Sequence, residues 1–110
     1  VEPQTQMILD QMAAMGGTPL HQLPVPEARK LMDNLRAMAG AGPEVAKVED
    51  RAIPGPGGQI PLRVYTPAGS ASGGALVWFH GGGWVLGDIP GADSTCRDLA
   101  NRAGCVVVSV

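Results

Sequence analysis

Apolar residues change their spacing along the chain, and each spacing predicts a different element. From Pro3 to Met15, Ile8, Met12 and Met15 recur at intervals of four and three, which predicts a helix with one narrow apolar stripe, ended by Gly16-Gly17. Thr18 to Pro24 is a linker broken by prolines. A second helix is expected to open with Pro26 at its first position and Glu27 in its first turn, where the helix dipole favours an acid. Its stripe runs through Ala28, Leu31, Met32, Leu35, Met38 and Ala39, and Gly40 and Gly42 close it. Methionines concentrate on these two helices, and their adaptable side chains suit an irregular apolar surface, most simply core packing.

The period then shortens. Glu44 to Ile53 predicts a strand, although Glu49-Asp50-Arg51 interrupts the alternation. Pro54 to Gly58 is a turn, and Gln59 to Thr66 alternates strictly, with Ile60, Leu62 and Val64 on one face and Pro61, Arg63 and Tyr65 on the other. Together they predict a hairpin. Pro61 lacks a donor, which places it at an edge or a non-bonded position. After the polar loop Thr66 to Gly74, Ala75 to Phe79 is continuously apolar and ends at His80, as in a strand covered on both faces. Ala92 to Ala103 carries Cys96, Leu99, Ala100 and Ala103 at helical spacing with Asp93 at its start, and Gly104 stops it. Cys105 to Val110 is a second β-branched apolar strand. Strand, helix and strand at this spacing predict a crossover joining a parallel pair.

Between the first apolar strand and the crossover helix stand Gly81, Gly82 and Gly83, followed by Trp84. Residues without a Cβ let the backbone turn its own N–H groups toward a bound atom, so this loop can hold negative charge with main-chain donors. A dinucleotide fingerprint begun at Gly81 would need glycine where Leu86 stands. A phosphate loop from Gly82 to Gly87 has the right glycine separation, but Asp88 replaces the lysine that should meet the phosphates.

The stretch "HGGGW", His80 to Trp84, at the end of an apolar strand resembles the oxyanion-hole loop of the hormone-sensitive-lipase-like carboxylesterases, which have the α/β-hydrolase fold. That resemblance implies that Gly82 and Gly83 donate their N–H groups to the oxyanion of a tetrahedral intermediate, that His80 orients the loop without acting as catalytic base, that Gly81 supports it, and that Trp84 packs beneath or beside it. It implies a cap segment over residues 1–42 and the first part of the core, strands 1–4 and helix A, over 43–110: two leading helices, an antiparallel hairpin, then a parallel β-α-β unit of a mostly parallel sheet. Members often carry Thr-His-Asp at the start of the helix after the loop. Here the stretch is Gly91-Ala92-Asp93, which keeps the acid and lacks the histidine.

Activity in that family needs a serine in a G-x-S-x-G elbow, then an acid, then a histidine. Ser70 has Ala68 two residues before it and Ser72 two after; Ser72 has Ser70 where glycine is required; Ser94 lacks the flanking glycines; Ser109 lies inside an expected strand. The triad is therefore expected in a C-terminal part of the protein beyond Val110, and the 110 residues alone are expected to be inactive. One crossover helix and a hairpin also cannot cover both faces of two apolar strands, so the segment is expected to belong to a chain roughly two to three times longer. The function implied is hydrolysis of carboxylic esters, short- to medium-chain, by a serine esterase or lipase. The alternative is a non-catalytic ligand-binding protein on the same fold.

Composition changes this picture little. Hydrophobic residues make up 45% of the chain, and eight basic against ten acidic residues leave a formal charge of −2 with no run of one sign, so nucleic acid and anionic membranes are not expected partners. No run approaches a membrane span and no secretory n-region opens the chain, which points to a cytoplasmic protein. Cys96 and Cys105 match no zinc or redox spacing and read as reduced, buried packing residues; with two histidines and no H-E-x-x-H, neither a metal nor a cofactor is expected. The partners expected are a small ester, the rest of the same protein, and, from the family, a second copy in a homodimer.

Overall fold

A computed structural model describes residues 1–110, apart from the side chains of Met38 and Ala39, so the last two positions of the second apolar stripe lie outside the described residues. Two helices lead, α1 (Pro3–Met15) and α2 (Val25–Ala39), with a short 3-10 turn at Leu20–Gln22 in the expected linker. Glu2 caps α1, its carboxylate accepting from the Thr5 N–H at 3.2 Å, and Gly16 ends the helix at φ 62°. α2 begins one residue before Pro26, which still sits in the first turn, where a missing N–H costs no helical hydrogen bond.

Four strands follow: β1 (Lys47–Gly55), β2 (Gly58–Thr66), β3 (Ala75–Trp78) and β4 (Val106–Ser109), with α3 (Asp93–Ala103) between the last two. β1 and β2 form the expected hairpin, in register from Lys47 opposite Thr66 to Gly55 opposite Gly58. β3 and β4 are parallel, and β4 also pairs antiparallel with β2, giving one mixed sheet of order β1-β2-β4-β3. The β2–β4 ladder covers only Arg63 to Tyr65, so Pro61 lies beyond it and its missing donor breaks no bond there.

Register sorts the side chains. Tyr65, Val107 and Leu76 share one face, as do Arg63, Ser109 and Trp78, and α3 packs there. Small residues on α3 let it approach closely: Cys96, Ala100, Tyr65 and Val107 are fully buried, with Cys105 beside them and both cysteines unpaired. Burying a side chain the size of Val107 contributes about 1.5–3 kcal/mol. The opposite face is bare, with Val77 54% and Phe79 73% exposed. The sequence suggested strands covered on both sides; only one face has a cover among the described residues, as the shortage of covering elements led one to expect.

The two leading helices do not fill the gap. α1 has no buried residue, and Ile8, Met12 and Met15 of its stripe are exposed, so core packing does not account for them here. In α2 Ala28 is buried, while Leu31, Met32 and Leu35 are each about two-fifths exposed. The radius of gyration is 16.6 Å, against about 13 Å for a compact domain of this length. Among the described residues, no helix is long and apolar enough to cross a membrane.

Candidate active site

The parallel strand β3 ends at Trp78, and after Phe79 and His80 the chain enters the glycine run. Gly83 and Trp84 both have φ near +60°, and the Val85 N–H donates to the Gly82 carbonyl at 3.1 Å. Positive φ at both central positions with an i to i+3 bond makes Gly82–Val85 a turn of the primed kind. The Leu86 N–H donates to the same carbonyl at 2.9 Å. Gly82 itself sits at φ 130°, and a Cβ there would overlap the Leu86 carbonyl, so no other residue fits without moving the turn.

Acceptors and donors in this loop have different fates. The Gly82 carbonyl takes two N–H groups, and the Gly81 carbonyl lies 2.8 Å from His80 Nδ1, within reach of a proton on that nitrogen. The N–H groups of Gly81, Gly82, Gly83 and Trp84 have no acceptor among the described residues. With the Gly81 and Gly82 carbonyls engaged and four consecutive amides open, the loop exposes main-chain donors of the kind that can hold negative charge. His80 thus stands just past the strand end with its ring against the Gly81 carbonyl.

Trp84 differs from expectation. Its indole is fully exposed and packs neither beneath nor beside the loop. Trp84 occupies the tip of the turn, outside the sheet, where nothing among the described residues is available to pack on it. Its left-handed backbone costs about 1–3 kcal/mol that the turn bonds must offset.

Residues the sequence reading passed over hold the far side of the loop. Gly87, at φ 86°, packs so closely that a Cβ would overlap the Gly81 carbonyl and come within 2.7 Å of His80 Nδ1. Asp88 Oδ1 accepts from the Gly91 N–H at 2.6 Å, and both its oxygens lie 3.3 Å from an Arg36 guanidinium nitrogen. Arg29 Nε donates to the Val85 carbonyl at 2.7 Å. The separation of Gly82 from Gly87 was a visible signal, recognised only as a failed phosphate loop.

Asp93, the acid retained from the family triplet, serves the sheet rather than the loop. It accepts from the Tyr65 hydroxyl at 2.9 Å, from Arg63 at 3.3 Å and from Arg97 Nε at 2.6 Å. Burial pushes its carboxyl up, but the Arg97 and Tyr65 hydrogen bonds and the arginine charges outweigh that and hold it below the usual range. Burial, and then the bond to Asp93, raise the Tyr65 phenol well above its ordinary value. This node fixes the start of α3 against β2, and with it the Pro90–Ala92 turn into which the loop runs.

A cleft of about 980 Å³ separates α2 from α3 and the loop; Arg29, Arg36, Trp78, His80, Gly81 and Asp88 are among its lining residues, and Gly82 and Gly83 are not.

The chain is similar to several known proteins. A family model described as the alpha/beta hydrolase fold matches residues 76–110. Carboxylic ester hydrolase LipN of Mycobacterium tuberculosis is 42% identical over 80 residues, which cover 70% of this chain and 21% of LipN. An arylesterase of Saccharolobus solfataricus is 34% identical over 84 residues, covering 76% of this chain and 28% of that protein. Among solved structures, ester-hydrolase EH1AB1 from the metagenome of Lake Arreo, complexed with a bipyridine phosphonate derivative, superposes with a TM-score of 0.89 at 41% identity, over 99% of this chain and 36% of that one. The chain thus spans about a fifth to a third of the length of these relatives.

Proposed function

The chain belongs to the α/β-hydrolases, and on that premise we propose that it supplies the oxyanion hole of a serine carboxylesterase acting on short- to medium-chain carboxylic esters. Gly82 and Gly83 donate their N–H groups to the oxygen that gains charge as the ester carbonyl becomes tetrahedral. His80 and Gly81 brace the loop from behind. The serine, its histidine base and the acid come from residues outside these 110, in the order serine, acid, histidine. Attack by the serine oxygen expels the alcohol and leaves an acyl-enzyme, which water then hydrolyses to the acid. A cytoplasmic location and a homodimer belong to the same proposal and rest on the sequence and the resemblance alone.

The observation that carries this reading is the imbalance of the loop: engaged carbonyls, open amides, at the carboxyl end of a parallel strand. The relatives, a carboxylic ester hydrolase, an arylesterase and an ester-hydrolase, support it from a separate direction.

The test is a panel of p-nitrophenyl esters of increasing acyl length, run on the full-length protein and on Gly83→Pro. Proline removes the Gly83 N–H and cannot adopt its φ of 59°. Hydrolysis should favour the shorter acyl chains, and the variant should lose about 10²–10³ in kcat, the cost of one oxyanion donor. Undiminished kcat in Gly83→Pro would remove Gly83 from the donor role. Failure of the parent protein to cleave any ester would favour a non-catalytic ligand-binding protein on this fold.

A further inference from the structure

We propose that Arg29 and Arg36 of α2 are positioning residues for the glycine loop, so that the seating of α2 sets the geometry of the oxyanion site; this rests on the esterase reading above. Neither arginine bonds the open amides, and both act through the loop's far side.

Each tie falls where it has leverage. Val85 closes the turn with its N–H on the Gly82 carbonyl, and its own carbonyl accepts from Arg29 Nε at 2.7 Å. One residue, Val85, therefore links α2 to Gly82, whose amide is to meet the oxyanion. Three residues on, Asp88 ends the loop between Arg36 on one side and the Gly91 N–H on the other. Arg29 and Arg36 are seven apart, about two helical turns, so they leave the same side of α2 and grip the loop at two points.

Among the described residues of α2 only Ala28 is buried, so little packing duplicates these bonds. The cleft lies between α2 and the core, and the apolar residues Leu31, Met32 and Leu35 remain partly exposed. Charge-assisted hydrogen bonds spanning a cleft can hold the loop in place only while α2 is in place. A displacement of α2 then reaches Gly82 through Val85, although neither arginine itself touches substrate.

Hydrogen exchange of the segment spanning Gly82–Leu86 in the full-length protein reads the clamp without reference to activity, and ester kinetics read its consequence. In Arg29→Ala, exchange of the Val85 and Leu86 amides should quicken about tenfold or more, and kcat should fall about tenfold with KM within about twofold. Arg29→Lys, which keeps a cationic donor, should recover most of both. Arg36→Gln, at a separate and half-exposed site, should quicken exchange in the same segment. Unchanged exchange in both Arg29→Ala and Arg36→Gln overturns the clamp, and quickened exchange with unaltered kcat overturns its link to the oxyanion site. A parent protein that cleaves no ester but shows the exchange difference would retain the clamp and overturn the esterase reading with the oxyanion role built on it.

Discussion

The turn between β1 and β2 and the loop after β3 are built from the same residue type and end in opposite states. In the hairpin, Gly55 pairs with Gly58 at the end of the ladder, and Pro56-Gly57 makes the reversal. Its backbone belongs to the sheet. In the loop after β3, four consecutive N–H groups are left without a partner among the described residues, and the chain is held by two side chains distant in sequence, Arg29 and Arg36, and by the neighbouring His80. Glycine content alone does not make a binding site. What separates the two is whether the amides are consumed by secondary structure and whether other elements hold the backbone once they are not.

Matched alanine substitutions would break or sharpen that contrast most. Gly82→Ala forces a Cβ into the Leu86 carbonyl, so the turn must open; we expect kcat for ester hydrolysis by the full-length protein to fall by about 10²-fold or more, equivalent to about 2.7–4 kcal/mol of transition-state stabilisation. Gly57→Ala meets nothing within 4 Å and should leave both activity and stability unchanged within about 0.5 kcal/mol. Equal effects at the two positions would dissolve the distinction.

Next in size is the scaffold under the loop. Asp93→Ala strips a partner from Arg63, Arg97 and the buried Tyr65 hydroxyl, and should cost about 2–3 kcal/mol in urea unfolding. The same carboxyl gives a pH signature. Its folded-state pKa is held below the ordinary value of 3.8, so its stabilisation is present above that value and is lost as pH falls through the folded one. Melting temperature should therefore drop below about pH 4, and the drop should be shallower in Asp93→Ala.

The smallest effect concerns the tip of the turn. Trp84→Gly relieves a left-handed backbone at a fully exposed position, so thermal unfolding should shift toward stability by about 0.5 kcal/mol, net of the added chain entropy. A loss of stability instead would mean that the indole has a partner.

Much of this was legible in the chain. Alternation through Ile60, Leu62 and Val64 located a strand, the apolar runs at Ala75–Phe79 and Cys105–Val110 located two more, and the HGGGW stretch located the loop. Less visible was the first strand, which begins at Lys47 rather than Glu44, because the polar stretch Glu49–Arg51 lies on an edge strand whose side chains need not alternate in hydrophobicity. Trp84 was expected against the loop because the family resemblance implied it, and nothing local says that it falls at the tip of a primed turn. Arg29 and Arg36 gave no signal at all, since basic residues on a helix are ordinarily solvated, and their partners lie more than fifty positions away.

Sequence by itself determined the helices, the hairpin, the parallel pair and the absence of side chains from Gly81 to Gly83, because periodicity and missing Cβ atoms act over a few neighbouring residues. Tertiary structure alone decided that β4 enters between β2 and β3, that α3 covers one face and leaves Val77 and Phe79 bare, and that α2 reaches the loop. Those outcomes depend on which distant surfaces meet, and strand order and long side-chain bonds are free to vary under the same local pattern.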